Sequence, residues 1–138
     1  TIPFGEADIK REGTDVTVVA TSYMVHKSLE AAEKLEAEKG WSVEVIDPRT
    51  LVPLDTAAIL GSVEKTGRLV IATEEVRTGS FASEVAALAA DQALFSLAAP
   101  VKRVCAFDTP IPFAPAMEAD AIPQVEDIVT AVEEVMQW

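Results

Sequence analysis

Four short apolar runs recur along the chain: DVTVVA at 15–20, SVEVID at 42–47, RLVIAT at 68–73 and VKRVCA at 101–106. Stretches with helical spacing separate them, and this alternation limits the fold more tightly than any other feature. A run that stays apolar through both faces of its pleat, as DVTVVA does, belongs to a strand covered on both sides, as in parallel sheet. Parallel neighbours cannot be joined by a tight hairpin; each pair needs a crossover of about a dozen residues or more, normally a helix. The expectation is an α/β domain whose mostly parallel sheet carries helices on both faces.

Punctuation places the helices. Thr21 or Ser22 is expected to cap the first, whose inward stripe is Val25, Leu29, Ala32 and Leu35 or Glu36, with Glu30, Glu33, Lys34 and Glu38 wet and Gly40 as its end. Asp55 is expected to cap a second helix to about Lys65, with Ile59 and Val63 inward and Gly67 as its stop. Gly79 and Ser80 open a third, predicted to reach about Leu97 with Phe81, Val85, Leu88 and Phe95 facing the sheet, until Pro100 halts it. The segment from Asp108 to Pro123 contains Pro110, Pro112, Pro115 and Pro123 and reads as a rigid, non-helical crossover. Pro123 then suits the first turn of a last helix with an apolar face of Val125, Ile128, Val129, Val132, Val135 and Met136. A weak polar strand, Ala7 to Glu12, is turned by Gly13 ahead of the first strong one. Residues 1–6 are expected to be a linker from a preceding domain, and 7–138 a single domain able to bury about two thirds of its unfolded surface.

Charge narrows the function. With 23 acids against 11 bases the chain carries a net charge of -12, so DNA, RNA and anionic lipid would meet a repulsive field. No run approaches the roughly 18 apolar residues of a membrane span, and the opening TIPFGEADIKREG has no signal-peptide pattern, so a soluble intracellular protein is expected. No lysine or arginine follows Arg103, which leaves a one-signed C-terminal quarter. That segment reads either as a solvated helix face or as a dock for a basic partner. The single cysteine, Cys105, lies within an apolar run and is expected to be an inert core thiol.

Candidate chemistry is sparse. The junction after the first strong strand, ATSYMVHKS, has no glycine fingerprint for a dinucleotide, the phosphate-loop pattern is missing, and one His with one Cys cannot form a zinc site. His26 near a helix start is an imaginable base, but no nucleophile in an elbow sequence accompanies it, which favours a helix-face or interface residue. Glu74 and Glu75, just past the third strong strand, form the best generic pocket candidate together with the helix start at 77–80; solvated acids on a capped loop are the plain alternative. Arg49, directly after the strand ending Asp47-Pro48, has the fork geometry for an anion or a subunit contact, or for a local pair with Asp47 or Asp55.

Several colinear motifs go further. PFGEADIKREGTDVTVVATSYMVHKSLEAAEKL at 3–35, VEVIDPRTLVPLD at 43–55, SVEKTGRLVIATEE at 62–75, APVKRVCAFDTPIPF at 99–113 and PQVEDIVTAV at 123–132 resemble the C-terminal domain of the β subunit of thiamine-diphosphate-dependent 2-oxo acid dehydrogenases. This is the E1 component of the pyruvate and branched-chain complexes; transketolase and deoxyxylulose-phosphate synthase have related C-terminal domains. The resemblance implies a three-layer α/β/α domain with a five-stranded, mostly parallel sheet whose first strand is antiparallel. It also implies that thiamine diphosphate and magnesium lie between the E1 α subunit and an N-terminal β domain outside this chain, so that no catalytic, cofactor-binding or metal residue is assigned here. What it does assign is assembly. A second β subunit pairs in a heterotetramer, for which Arg49, His26, Glu74 and Glu75 are candidate interface residues. A basic subunit-binding domain of the acyltransferase docks at the β carboxyl end, for which Glu133, Glu134 and Trp138 are candidates. Pyruvate is the expected substrate of the full complex, in the bacterial cytoplasm or a mitochondrial matrix. A stand-alone small-molecule-binding or regulatory domain, a small hydrolase or transferase using the Glu74–Glu75–Arg49 edge, and the end of a transketolase-like enzyme are the competing readings.

Overall fold

The computed structural model describes Thr1–Trp138 as one five-stranded sheet with helices on both faces. The strands are β1 (Asp8–Arg11), β2 (Val16–Ala20), β3 (Val43–Asp47), β4 (Leu69–Val76) and β5 (Lys102–Ala106), in the spatial order β1-β3-β2-β4-β5. Central β2 pairs in parallel with β3 through Val18 and Val45 and with β4 through Val18 and Val70. Only β1 runs antiparallel, with a bulge between Ile9 and Arg11. The mostly parallel sheet and its antiparallel first strand are thus as the sequence led one to expect.

Alternation along the strands sorts the core into two layers. Val16, Val18, Ala20, Val43, Val45, Val70, Ala72 and Val104 face α1 (Met24–Lys39) and α5 (Val125–Met136). Val19, Ile46, Leu69 and Ile71 face α2 (Thr56–Thr66) and α3 (Phe81–Gln92). Cys105 is partly buried against this second layer, with the Thr73 hydroxyl 3.7 Å from its sulfur. Gly13 is required by a close approach: a Cβ there would stand 2.3 Å from the backbone of Val43 and Glu44.

Four local expectations are corrected. Neither Thr21 nor Ser22 caps α1 with its side chain; the backbone turns instead, with Ser22 at φ 51° and the Thr21 carbonyl accepting from the Met24 amide. α3 stops at Gln92, not near Leu97, because the following chain is drawn back toward the amino edge, where the Ala98 amide donates to the Gly67 carbonyl at 2.7 Å. Phe95, expected to face the sheet, is therefore fully exposed. The proline-rich crossover contains a helix, α4 (Pro115–Ala121), because a proline in the first helical turn gives up an amide that has no partner there anyway. Pro123 precedes the cap of α5; Gln124 is the cap residue, in a reciprocal capping box with Asp127.

The one-signed C-terminal quarter is also not one-signed in space. Lys34 pairs with Glu126, Lys102 with Glu134 at 3.1 Å, and Arg68 donates to the Val135 and Trp138 carbonyls at 3.0 Å each. The hydrogen bond to Glu126 holds the Lys34 ammonium above its ordinary pKa.

Candidate functional site

In a parallel sheet all carboxyl ends share one edge, and the crevice forms where successive crossovers diverge. Here the chain leaves β2 for β3 on one side and returns to β4 on the other. The loops after β2, β3, β4 and β5 therefore converge. A cleft of about 470 Å³ opens there, walled by Thr21, Ser22, Asp47, Arg49, Glu74 and Glu75 and narrowed by Leu51 and Ile111. The structure thus brings together Arg49, Glu74 and Glu75 from sequence positions far apart.

Each has a local role that limits what the cleft can do. Asp47 Oδ1 accepts from the Arg49 amide at 2.9 Å, a turn that seats Arg49 at φ 63°, and the guanidinium stands 3.6 Å from the same carboxylate. Arg49 is consequently an exposed cation already leaning on Asp47. β4 runs on through Glu74 and Glu75 to Val76, so the two acids occupy successive strand positions and diverge instead of facing each other as a carboxylate pair. Glu75 accepts from the Phe81 amide at 2.8 Å and so satisfies the first turn of α3. Glu74 remains half-buried on the cleft wall. Ser22 and Arg49 are the only non-glycine residues with positive φ, and both line this cleft.

His26 is not part of the cleft. It lies exposed on the first turn of α1, its ring 6.0 Å from that of Tyr23. Neighbouring Lys27 is buried and donates to the Pro123 carbonyl at 2.8 Å and the Gln124 side chain at 3.1 Å, which ties α1 to the start of α5. Glu133, Glu134 and Trp138 lie at the opposite, amino edge. There Trp138 closes an apolar groove of about 470 Å³ with Ala86, Ala90, Leu94, Leu97 and Pro100. The candidate contact residues therefore fall on two opposite ends of the sheet.

Two polar sites escaped sequence reasoning. Glu44, in the apolar-looking VEVID, is 1% exposed and accepts from the Gly13 amide, the Ser62 hydroxyl and the Lys65 ammonium. Thr17 extends the network to Ser62 at 2.6 Å and Thr66 at 2.8 Å. Burial pushes the Glu44 carboxyl up, but the bonds from Lys65, Ser62 and Gly13 outweigh it and leave its pKa below the ordinary value. At the carboxyl edge, Asp108 accepts from the Thr78 hydroxyl at 2.6 Å and the Thr78 amide at 3.0 Å; the hydroxyl bond is the larger cause of its lowered pKa. That pair joins the loop after β5 to the loop after β4. The only advance signal was the alternation itself: Glu44 falls on the pleat face shared with Ile46 and Val19, where an acid demands partners.

No group of three His, Cys, Asp or Glu side chains is arranged to hold a metal ion, and no helix is long and apolar enough to cross a membrane. Comparison with known proteins gives consistent matches. The family described as transketolase, C-terminal domain, covers residues 5–128. The acetoin:2,6-dichlorophenolindophenol oxidoreductase subunit beta of Bacillus subtilis is 48% identical over 99% of this chain, and the pyruvate dehydrogenase E1 component subunit beta of the same organism 44% over 100%. The chain spans 40% and 42% of those relatives. Among solved structures, an inactive beta4 tetramer of a split gene transketolase superposes with a TM-score of 0.83 at 33% identity, over 96% of this chain and 42% of the other.

Proposed function

The chain belongs to the transketolase C-terminal domain family, and from that premise we propose that it is the assembly domain of the β subunit of a 2-oxo acid dehydrogenase. It supports oxidative decarboxylation of a 2-oxo acid, pyruvate foremost, through the complex and not through groups of its own. The observation that carries this reading is the end-to-end match, at 44% identity, to two-fifths of a pyruvate dehydrogenase E1 β subunit, beside a 48% match to the β subunit of an acetoin oxidoreductase. Thiamine diphosphate and magnesium belong, on this reading, to the parent enzyme. The residues here do not fit them: Asp47 is engaged by Arg49, Glu75 by α3, and Glu44 by its buried network.

The partners proposed are an E1 α subunit, a second β subunit, and the basic subunit-binding domain of the acyltransferase. The carboxyl edge, with Arg49, Glu74 and Glu75, is the subunit-contact end, and His26 flanks it. The amino edge, with Glu133, Glu134 and Trp138, is the acyltransferase end. The compartment proposed is the bacterial cytoplasm, or the matrix in a mitochondrial homologue. Deleting this segment from the full β subunit should abolish both heterotetramer assembly and turnover of pyruvate. Retention of both after deletion would overturn the reading.

The superposition on a split gene transketolase supports a second reading, the closing domain of a ketol-transferring enzyme. The two separate on one assay: the full enzyme either releases CO₂ from a 2-oxo acid with reduction of an acceptor, or moves a two-carbon unit between sugars.

A further inference from the structure

The two long sides of the sheet are finished differently. β1 is blunted by its bulge and by the Lys10–Asp8 ion pair, devices that discourage further strand pairing. β5, the last strand on the other side, leaves its pairing groups open. The Thr17 and Thr21 amides donate to the Arg68 and Ala72 carbonyls, so even-numbered residues of β4 turn their backbone groups to β2 and odd-numbered ones to β5. With Ala72 registered against Val104, the backbones of Lys102 and Val104 bond to β4, and those of Arg103 and Cys105 point outward. Among those outward amides and carbonyls only the Arg103 carbonyl has a partner, the Arg77 guanidinium at 3.1 Å. The charges that could guard this edge are drawn off it: Lys102 turns to Glu134 on the α5 face at 3.1 Å, and Arg103 to the Ser83 hydroxyl on the α3 face at 2.6 Å.

A groove of about 800 Å³ runs beside this edge, between residues 101–105 and a wall formed by the end of α4 and one flank of α5. Its two sides differ in sign. Toward α5 stand Asp120, Glu126, Asp127 and Glu134, against Lys102 and, behind Glu126, Lys34. Toward α3 stand Arg77 and Arg103, whose hydrogen bonds go to the Ser83 hydroxyl and to backbone carbonyls, so that neither charge meets a carboxylate; Asp108 close by is taken up by Thr78. A second copy does not fit: two β5 edges related by a two-fold axis pair antiparallel with like faces together, acids on acids and Arg103 on Arg103. An added strand instead sends alternate side chains to the two sides. We propose that β5 accepts a sixth strand, an extended segment of another polypeptide in which lysine or arginine at every second position, toward α5, alternates with glutamate or aspartate, toward α3. Its backbone amide displaces Arg77 from the Arg103 carbonyl and so releases that guanidinium to meet the acidic side chains. The site lies along the side of the sheet, apart from the two ends assigned above, and does not depend on which reaction the parent enzyme performs.

The test uses the full-length protein that carries this chain and, as probe, a capped fluorescent peptide of about nine residues alternating lysine with glutamate. In polarisation titrations it should bind at least about tenfold more tightly than a peptide of the same composition with its lysines and glutamates in separate blocks. N-methylation of every second peptide amide should abolish binding for one of the two alternate sets and spare it for the other, because only one set faces β5. Bound peptide should slow hydrogen exchange at residues 101–107. Asp120→Lys with Glu134→Lys, both exposed and so leaving the melting midpoint at the parent value, should weaken binding about tenfold. Equal binding of the blocked peptide, indifference to both methylated sets, or unchanged exchange at 101–107 overturns the proposal. Protection of 101–107 that grows with protein concentration in the absence of peptide overturns it as well, by giving the edge to a second copy.

Discussion

Glu44 sits where the sequence reads as plain strand, yet it is a buried acid held by three donors. Its folded pKa lies below the ordinary value of 4.5, so its stabilising contribution is complete above that pH and is lost as pH falls through the folded value. Glu44→Gln should therefore cost about 1–3 kcal/mol at neutral pH by leaving the Gly13, Ser62 and Thr17 groups poorly partnered. It should also flatten the decline in stability below pH 4.5. Denaturant titrations of parent and variant across that range check both; an unchanged acid slope assigns the acid lability elsewhere. Gly13 is tied to the same place. Gly13→Ala drives a methyl into the Val43–Glu44 backbone and should cost about 1–3 kcal/mol or more, read by the same titration. The turn at Gly13 was legible in the sequence, but the close approach was not, because residues 13 and 44 meet only across the sheet.

At the scale of elements, strands and helices followed from periodicity, while their ends depended on long-range partners. Asp55 illustrates the difference. Its cap role on α2 was expected, and Oδ1 does accept from Ala58 at 3.0 Å; Oδ2, however, accepts from the Ala7 amide at 2.9 Å and pins the approach to β1. Asp55→Ala should then cost about 1–2 kcal/mol for the cap and also speed amide exchange at Ala7. Asp55→Asn should keep the cap while releasing Ala7, since an amide nitrogen cannot accept. Equal protection of Ala7 in parent and Asn variant would dismiss the second role. The same logic explains the misplaced boundaries. The LFSLAA stretch at 94–99 has nothing unhelical in it, and the bond to Gly67, at the end of α2 on the same face of the sheet, is what diverts it. The prolines at 110–115 read as breakers because their spacing says nothing of which one will open a helix. The cleft itself was half legible: Arg49 with its local partner Asp47 and the Glu74–Glu75 pair were found as strand-end charges, whereas Thr21, Leu51 and Ile111 became neighbours only through the crossover geometry.

For the molecule as a whole, the parallel sheet creates two unlike ends, and the proposed partners divide between them. At the amino edge one of the two candidate acids is already engaged. Glu134 is held by Lys102, and Arg68 occupies the carbonyls at the end of α5, so a basic domain arriving there must compete with resident cations. The apolar groove closed by Trp138 has no such competitor. Charge and apolar contact should therefore affect docking in different ways. In the full β subunit, Glu133→Lys with Glu134→Lys should slow association of the basic subunit-binding domain and remove most of its salt dependence, with dissociation little changed. Trp138→Ala should instead speed dissociation by about tenfold or more while leaving the salt dependence intact. Surface plasmon resonance at several ionic strengths separates the two. Parent-like kinetics in both variants would remove the amino edge from the docking surface, whereas a charge effect without a Trp138 effect would place the partner on the outer face of α5, away from the groove.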